Sequence, residues 1–168
     1  MSGIKHSLKV DPKDVAKYIL LRAANDGELI SPLKMQKLVY YSYSWVLAKL
    51  DKRLFDEKIE AWPNGPVVRS LYTALKDYGS GPIPEEWAGE TFEHVKKRLP
   101  KEAIDVLELV YESYANFTAF QLTTLTHEES PWKEARRDCG PLDKSTNKIS
   151  DELIIKEYKS RLNDAQEK

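Results

Sequence analysis

The sequence predicts a mainly α fold, a single compact multi-helix domain with a small β element before a Trp-Pro-Asn-Gly-Pro corner. Three features carry that prediction. Capping residues recur immediately before apolar-periodic runs, proline stands at the first position of several of those runs, and only Lys58 to Trp62 shows the two-residue alternation of a strand. At 168 residues the chain fits one domain with a substantial core.

Asp11, Pro12 and Val15 open the first helix: Asp11 caps, Pro12 supplies the fixed φ, and Val10 is placed to staple Val15. Asn25-Asp26-Gly27 closes it. Ser31 and Pro32 repeat the device for a helix running to about Lys49. That helix is apolar nearly all round and therefore central, except for a stripe where Gln36 and Lys37 lie one turn from Tyr40 and Tyr41.

The strand from Lys58 ends at Pro63, Asn64-Gly65 tolerates positive φ, and Pro66 is expected to start a helix with Val68, Leu71, Tyr72 and Leu75 on one face and Gly79 as its stop. Tyr78 to Glu90 is too rich in Gly and Pro for more than one turn, at Pro84 to Trp87, and Phe92 to Leu99 is ambiguous. Lys101 to Asn116 is a clear helix through Ile104, Leu107, Tyr111 and Tyr114. Thr118 and Gln121 form a capping box for a helix to about Thr126, Ser130 and Pro131 open a short one to about Asp138, and the last starts at Ser150. Residues 1–10 are expected to be a flexible N-terminal segment and 163–168 a frayed tail.

Composition excludes several function classes. Lys plus Arg number 26 against 27 for Asp plus Glu, a net charge of -1, so the chain as a whole does not attract nucleic acid or acidic membranes. No apolar run approaches the roughly 20 residues that span a bilayer. Cys139 stands alone, so no internal disulfide forms, and no basic start with an apolar run precedes the first helix; a reducing cytoplasm is the expected setting. His6, His94 and His127 have no metal-ligand spacing with each other or with Cys139, and no phosphate-cradling loop or nucleophile elbow is present. No catalytic residue, metal or cofactor is therefore expected.

The corner gathers Glu60, Trp62, Asn64 and Tyr72 with the amides of a helix start, a place that favours acceptor groups. It is either a site or a structural corner, in which Trp62 fills the core and Glu60 pairs with a lysine. His127 either satisfies helix-end carbonyls or serves as a general acid in a hydrolase. Residues 11–49 could imitate a helix-turn-helix, with Lys34 and Lys37 early in the second helix, although a helix apolar all round lacks the polar face that reads base edges.

Lys34 to Tyr40, then Glu60 to Val68, then Leu125-Thr126-His127 with Pro131-Trp132 together resemble the Panacea domain family, the SocA-like antitoxins and phage-associated proteins of bacteria and their prophages. The resemblance covers about Asp11 to Arg137 and gives residues 11–162 the character of a Panacea-like helical domain. It implies a protein that binds and neutralises a toxin encoded beside it, in SocA-like members also delivering the toxin to a protease or its unfoldase, with no chemistry of its own. The motif positions it marks for partner binding are Gln36, Lys37, Tyr40, Glu60, Trp62, Asn64, Gly65, Pro66, His127, Pro131 and Trp132, to which the corner adds Tyr72. A DNA-binding regulator and a hydrolase using His127 are the alternatives, and a homo-oligomer is compatible with all three.

Overall fold

A computed structural model describes residues 4 and 6–166. Residues 1–3, 5, 167 and 168 lie outside the described residues, and with them parts of both expected terminal segments. Eight α-helices and one two-stranded sheet form the described chain: α1 Pro12–Asn25, α2 Pro32–Leu50, β1 Glu60–Trp62, β2 Gly65–Val67, α3 Arg69–Leu75, α4 Phe92–Arg98, α5 Lys101–Tyr114, α6 Ala119–His127, α7 Ser130–Ala135 and α8 Asp151–Gln166. Short 3-10 turns, Lys76–Tyr78 and Glu85–Ala88, occupy the Gly- and Pro-rich connection.

The caps behave as local chemistry dictates. Asp11 accepts from the Lys13 amide, Ser31 from Lys34, and Thr118 and Gln121 complete a reciprocal capping box. Ambiguous Phe92 to Leu99 is helical because Thr91 caps it, accepting from the His94 amide. Ser130, expected to cap α7, is instead its first residue; its amide and hydroxyl both donate to Glu157 of α8, so a distant carboxylate does the work of a cap. The last helix continues to Gln166, past Asn163 where fraying is expected. Ser7 to Val10 run beside Arg53 and Leu54, with the Leu8 and Val10 amides bonding their carbonyls at 2.8 and 3.0 Å.

α2 is the hub. It packs on α8, α5, α6, α1, α3 and β2. Met35, Leu38, Val39, Tyr40, Val46 and Leu47 have no exposed surface at all. A helix enclosed in this way presents no face to a DNA groove, so helix-turn-helix use of residues 11–49 is not supported by the fold. No described helix is long and apolar enough to cross a membrane.

The expected helix start at Pro66 is absent. Glu60, Ala61 and Trp62 pair antiparallel with Val67, Pro66 and Gly65, making a hairpin with Pro63-Asn64 as its loop, and α3 begins only at Arg69. Proline is tolerated in β2 because that strand is a sheet edge, where no ladder donor is needed. On its other side β1 is paired too: the Ala61 amide donates to the Asn147 carbonyl and the Ile149 amide to that of Ile59, each at 2.9 Å.

Candidate functional site

The hairpin and the first turn of α3 are held by donors that reach backbone groups. Gln36 donates to the Val68 carbonyl at 3.1 Å and accepts from the Val68 amide at 2.9 Å, so one side-chain amide satisfies both polar groups of that residue. Trp132 Nε1 donates to the Trp62 carbonyl at 2.9 Å, and Arg136 to the Ala61 carbonyl at 3.0 Å. Lys37 Nζ lies 3.3 Å from the Pro66 carbonyl. Each such bond stabilises by about 1 kcal/mol net, while a buried acceptor left bare costs about 1–3 kcal/mol.

Gly65 shows why these contacts need that sequence. Its φ is +114°, a region unfavourable to other residues, and a Cβ there would lie 2.6 Å from Lys37 Cε and 2.9 Å from Nζ. Lys37 itself is fully buried, and burial alone brings its ammonium down to about 7. Next to it, His127 stacks on Trp132 with ring centroids 4.0 Å apart. Its Nε2 is buried without a hydrogen-bond partner. Burial first, then the Lys37 and Arg136 charges, lower the His127 pKa against an opposing Pro63 carbonyl. The ring is thus held neutral, stacked and without a hydrogen-bonded nucleophile or carboxylate among the described residues, an arrangement that gives no support to a hydrolase.

Glu60 pairs with Arg69 rather than with a lysine. The guanidinium grips both carboxylate oxygens, at 3.0 and 2.9 Å, and Trp62 Nε1 adds a bond of 3.1 Å. Burial pushes the Glu60 pKa up, but these bonds outweigh it and the carboxyl stays below its ordinary value. The expected amides at the start of α3 are also engaged, since Glu57 accepts from both the amide and the hydroxyl of Ser70.

The twelve candidate positions therefore divide. Gln36, Lys37, Tyr40, Glu60, Gly65, Pro66 and Pro131 are buried; Trp62, His127 and Trp132 are half-buried; Asn64 and Tyr72 are exposed. Tyr72 does not share the buried face of Leu71 and Leu75 but is 45 % exposed, packed on Trp62 with centroids 4.8 Å apart. This pair forms a ridge between two clefts. One, about 300 Å³, is lined by Pro32, Leu33, Gln36, Asn64, Val67 and Lys76 among others, and the second, about 330 Å³, by Arg69, Lys144, Ser145 and Thr146.

Tyr40 belongs to a different cluster. Its hydroxyl donates to buried Glu129 at 2.8 Å, alongside Tyr158 at 2.8 Å and Arg161 at 3.3 Å. Sequence reasoning overlooked Glu129 and Tyr158, which no local pattern links, and Arg136, which it had a means to find: four residues after Trp132, its guanidinium lies 5.5 Å from the Trp132 ring.

A family model described as antitoxin SocA-like, Panacea domain, matches residues 35–133. No curated protein and no solved structure matches the chain. The matched stretch takes in α2 from Met35, the hairpin, and the start of α7 with Trp132, more than half of the sequence and most of the corner just described, Arg136 and the 144–146 lining of the second cleft lying beyond it. The chain belongs to the SocA-like antitoxin, Panacea-domain family.

Proposed function

We propose that this protein neutralises a protein toxin encoded beside it by direct, stoichiometric binding, and that the Trp62–Tyr72 ridge is the docking element. The observation that carries the reading is the exposure of Tyr72 on a backbone fixed by buried donors. Large amphipathic rings held on a rigid frame are the side chains that concentrate binding energy, because little conformational freedom is lost when they are covered. The buried motif residues then act indirectly, by setting the ridge. Asn64, at the hairpin tip and exposed, supplies adaptable hydrogen bonding beside it. A protease that receives the bound toxin is compatible with this arrangement and needs no further site on the ridge.

The test is co-expression with the adjacent reading frame, scored by growth rescue and co-purification. Tyr72→Ala should leave thermal melting nearly unchanged and weaken binding by about tenfold or more. If the wild-type chain neither rescues growth nor co-purifies with the neighbouring product, the reading fails.

A further inference from the structure

We infer that the partner surface received by the ridge is an acidic segment of the toxin, with an apolar or aromatic side chain entering a cleft and carboxylates flanking it. This rests on the docking reading above and adds the chemistry of the occupant. Every charged residue lining the two clefts is basic: Lys76 in the first, Arg69 and Lys144 in the second. Lys58 stands at the edge of the second, its Nζ donating to the Thr146 carbonyl at 3.2 Å. No carboxylate lines either cleft, although the chain as a whole carries a net charge of -1.

The neighbouring carboxylates form no ion pair with these lysines: Glu60 is matched by Arg69, while Glu57 accepts from Ser70 and Asp143 from the Gly140 amide. Asp77, next to Lys76, lines neither cleft. Among the described residues Lys58, Lys76 and Lys144 take part in no ion pair, unlike the cations placed around the Glu90 and Glu129 carboxylates. The opposite sign appears elsewhere, in the depression at Tyr41 and Tyr114, where Glu128, Glu129 and Glu157 face Arg161.

A protein segment suits this face better than nucleic acid. Strand binding needs a track of cations along successive phosphates. Here the Arg69 charge is already matched by Glu60; Lys76 flanks the cleft that carries Pro32, Leu33, Val67 and Leu75, while Lys144 and Lys58 stand at the second cleft, beyond the Trp62 and Tyr72 rings. Carboxylates spaced around an apolar anchor fit that pattern, and the lysines would accelerate and orient the encounter.

The experiment titrates the purified full chain with the product of the adjacent reading frame at low and at physiological salt. It compares wild type with Lys76→Glu/Lys144→Glu and the neutral Lys76→Gln/Lys144→Gln. Wild-type affinity should fall as salt rises, the Gln pair should be weaker, and the Glu pair should lose about tenfold or more at low salt. Melting should match wild type in all three, since both side chains are exposed. Equal affinity of wild type and the Glu pair at every salt concentration overturns the acidic partner while leaving the docking reading intact. A wild-type chain that fails to bind the neighbouring product overturns both. A single-stranded oligouridylate serves as the third probe: tight binding of it, lost in the Glu pair, assigns the face to nucleic acid instead.

Discussion

Lys37 and Glu129 are both buried ionisable residues close to α2, yet they are treated in opposite ways. Glu129 has two tyrosine hydroxyls and a guanidinium around it. Lys37 has one carbonyl at 3.3 Å. Burial raises the Glu129 pKa, and Arg161, Tyr40 and Tyr158 hold it back; for Lys37 nothing offsets burial, and the pKa falls to about 7. Enclosing a charge is tolerable when donors or counter-ions replace its water, and otherwise the group gives the charge up. Glu129 is thus a buried charge whose partners offset part of the cost of burial, a knot of mutually dependent groups, whereas Lys37 bears that cost with nothing to offset it as its long side chain passes under Gly65 to the hairpin.

This contrast is sharpest in the effects of removal. Glu129→Ala should destabilise most, by about 3–5 kcal/mol in a urea titration, because it strands the buried Tyr40 and Tyr158 hydroxyls and leaves Arg161 with Glu157 as its remaining partner. A cost below that of an ordinary surface substitution would show that the cluster is not a knot. Lys37→Met should instead be neutral or stabilising near pH 7, and its clearest signature is in pH dependence.

The folded Lys37 pKa, about 7, lies below the ordinary lysine value of 10.5 that the unfolded chain keeps. Between those values the unfolded chain binds a proton that the folded chain does not, so stability rises with pH across that window; below about 7 both states are protonated and the penalty is fully present. From pH 7 to 9.5 the gain attributable to Lys37 should be about 3 kcal/mol. Above that, Tyr40 and Tyr158, whose pKa values burial raises, begin to work the other way. Lys37→Met should abolish the rise, and an unchanged slope in that variant would place the titration elsewhere.

Gly65→Ala should have a smaller effect, about 1–3 kcal/mol, from the positive φ and the clash with Lys37. Combined with Lys37→Ala it should lose the clash but keep the backbone strain, so the two changes should couple; strict additivity would show that Lys37 does not touch the turn. The smallest effect belongs to Arg137→Ala. This residue makes exposed pairs with Glu134 and Asp138, and its loss should leave the melting temperature within error.

What the sequence disclosed was local. Asp11, Ser31 and the Thr118–Gln121 box act on amides within three residues, so spacing alone reveals them. The mainly helical class follows from those starts and from the apolar periodicity of α2 and α5. The hairpin was half legible: Lys58 to Trp62 alternates, but Pro66 looks the same as a first helical residue and as a proline on a sheet edge, and only pairing to β1 distinguishes them. Glu60 carries no mark of its choice of Arg69, nine residues on. The Tyr40–Glu129 bond spans 89 residues and Tyr43–Asp151 spans 108, distances over which no one-dimensional pattern operates. The motif positions also mix supports with candidate contacts, because neither burial nor the direction of a side chain is written in residue type.

The pairing of β1 with Asn147 to Ile149 bears on how freely this unit could be transplanted. Those residues, with α1 and α8, lie outside the stretch that matches the family model. Yet Ile149 closes the free edge of β1, Tyr158 completes the Glu129 cluster, and Asp151 receives both Tyr43 and Arg53. An excised 35–133 fragment would bare a strand edge and the apolar flank of α2, surfaces that favour association with other chains. Exchange of recognition elements between relatives is therefore most workable by resurfacing Asn64, Tyr72 and the surrounding lysines on an intact frame, with α1 and the 147–166 return carried along whole.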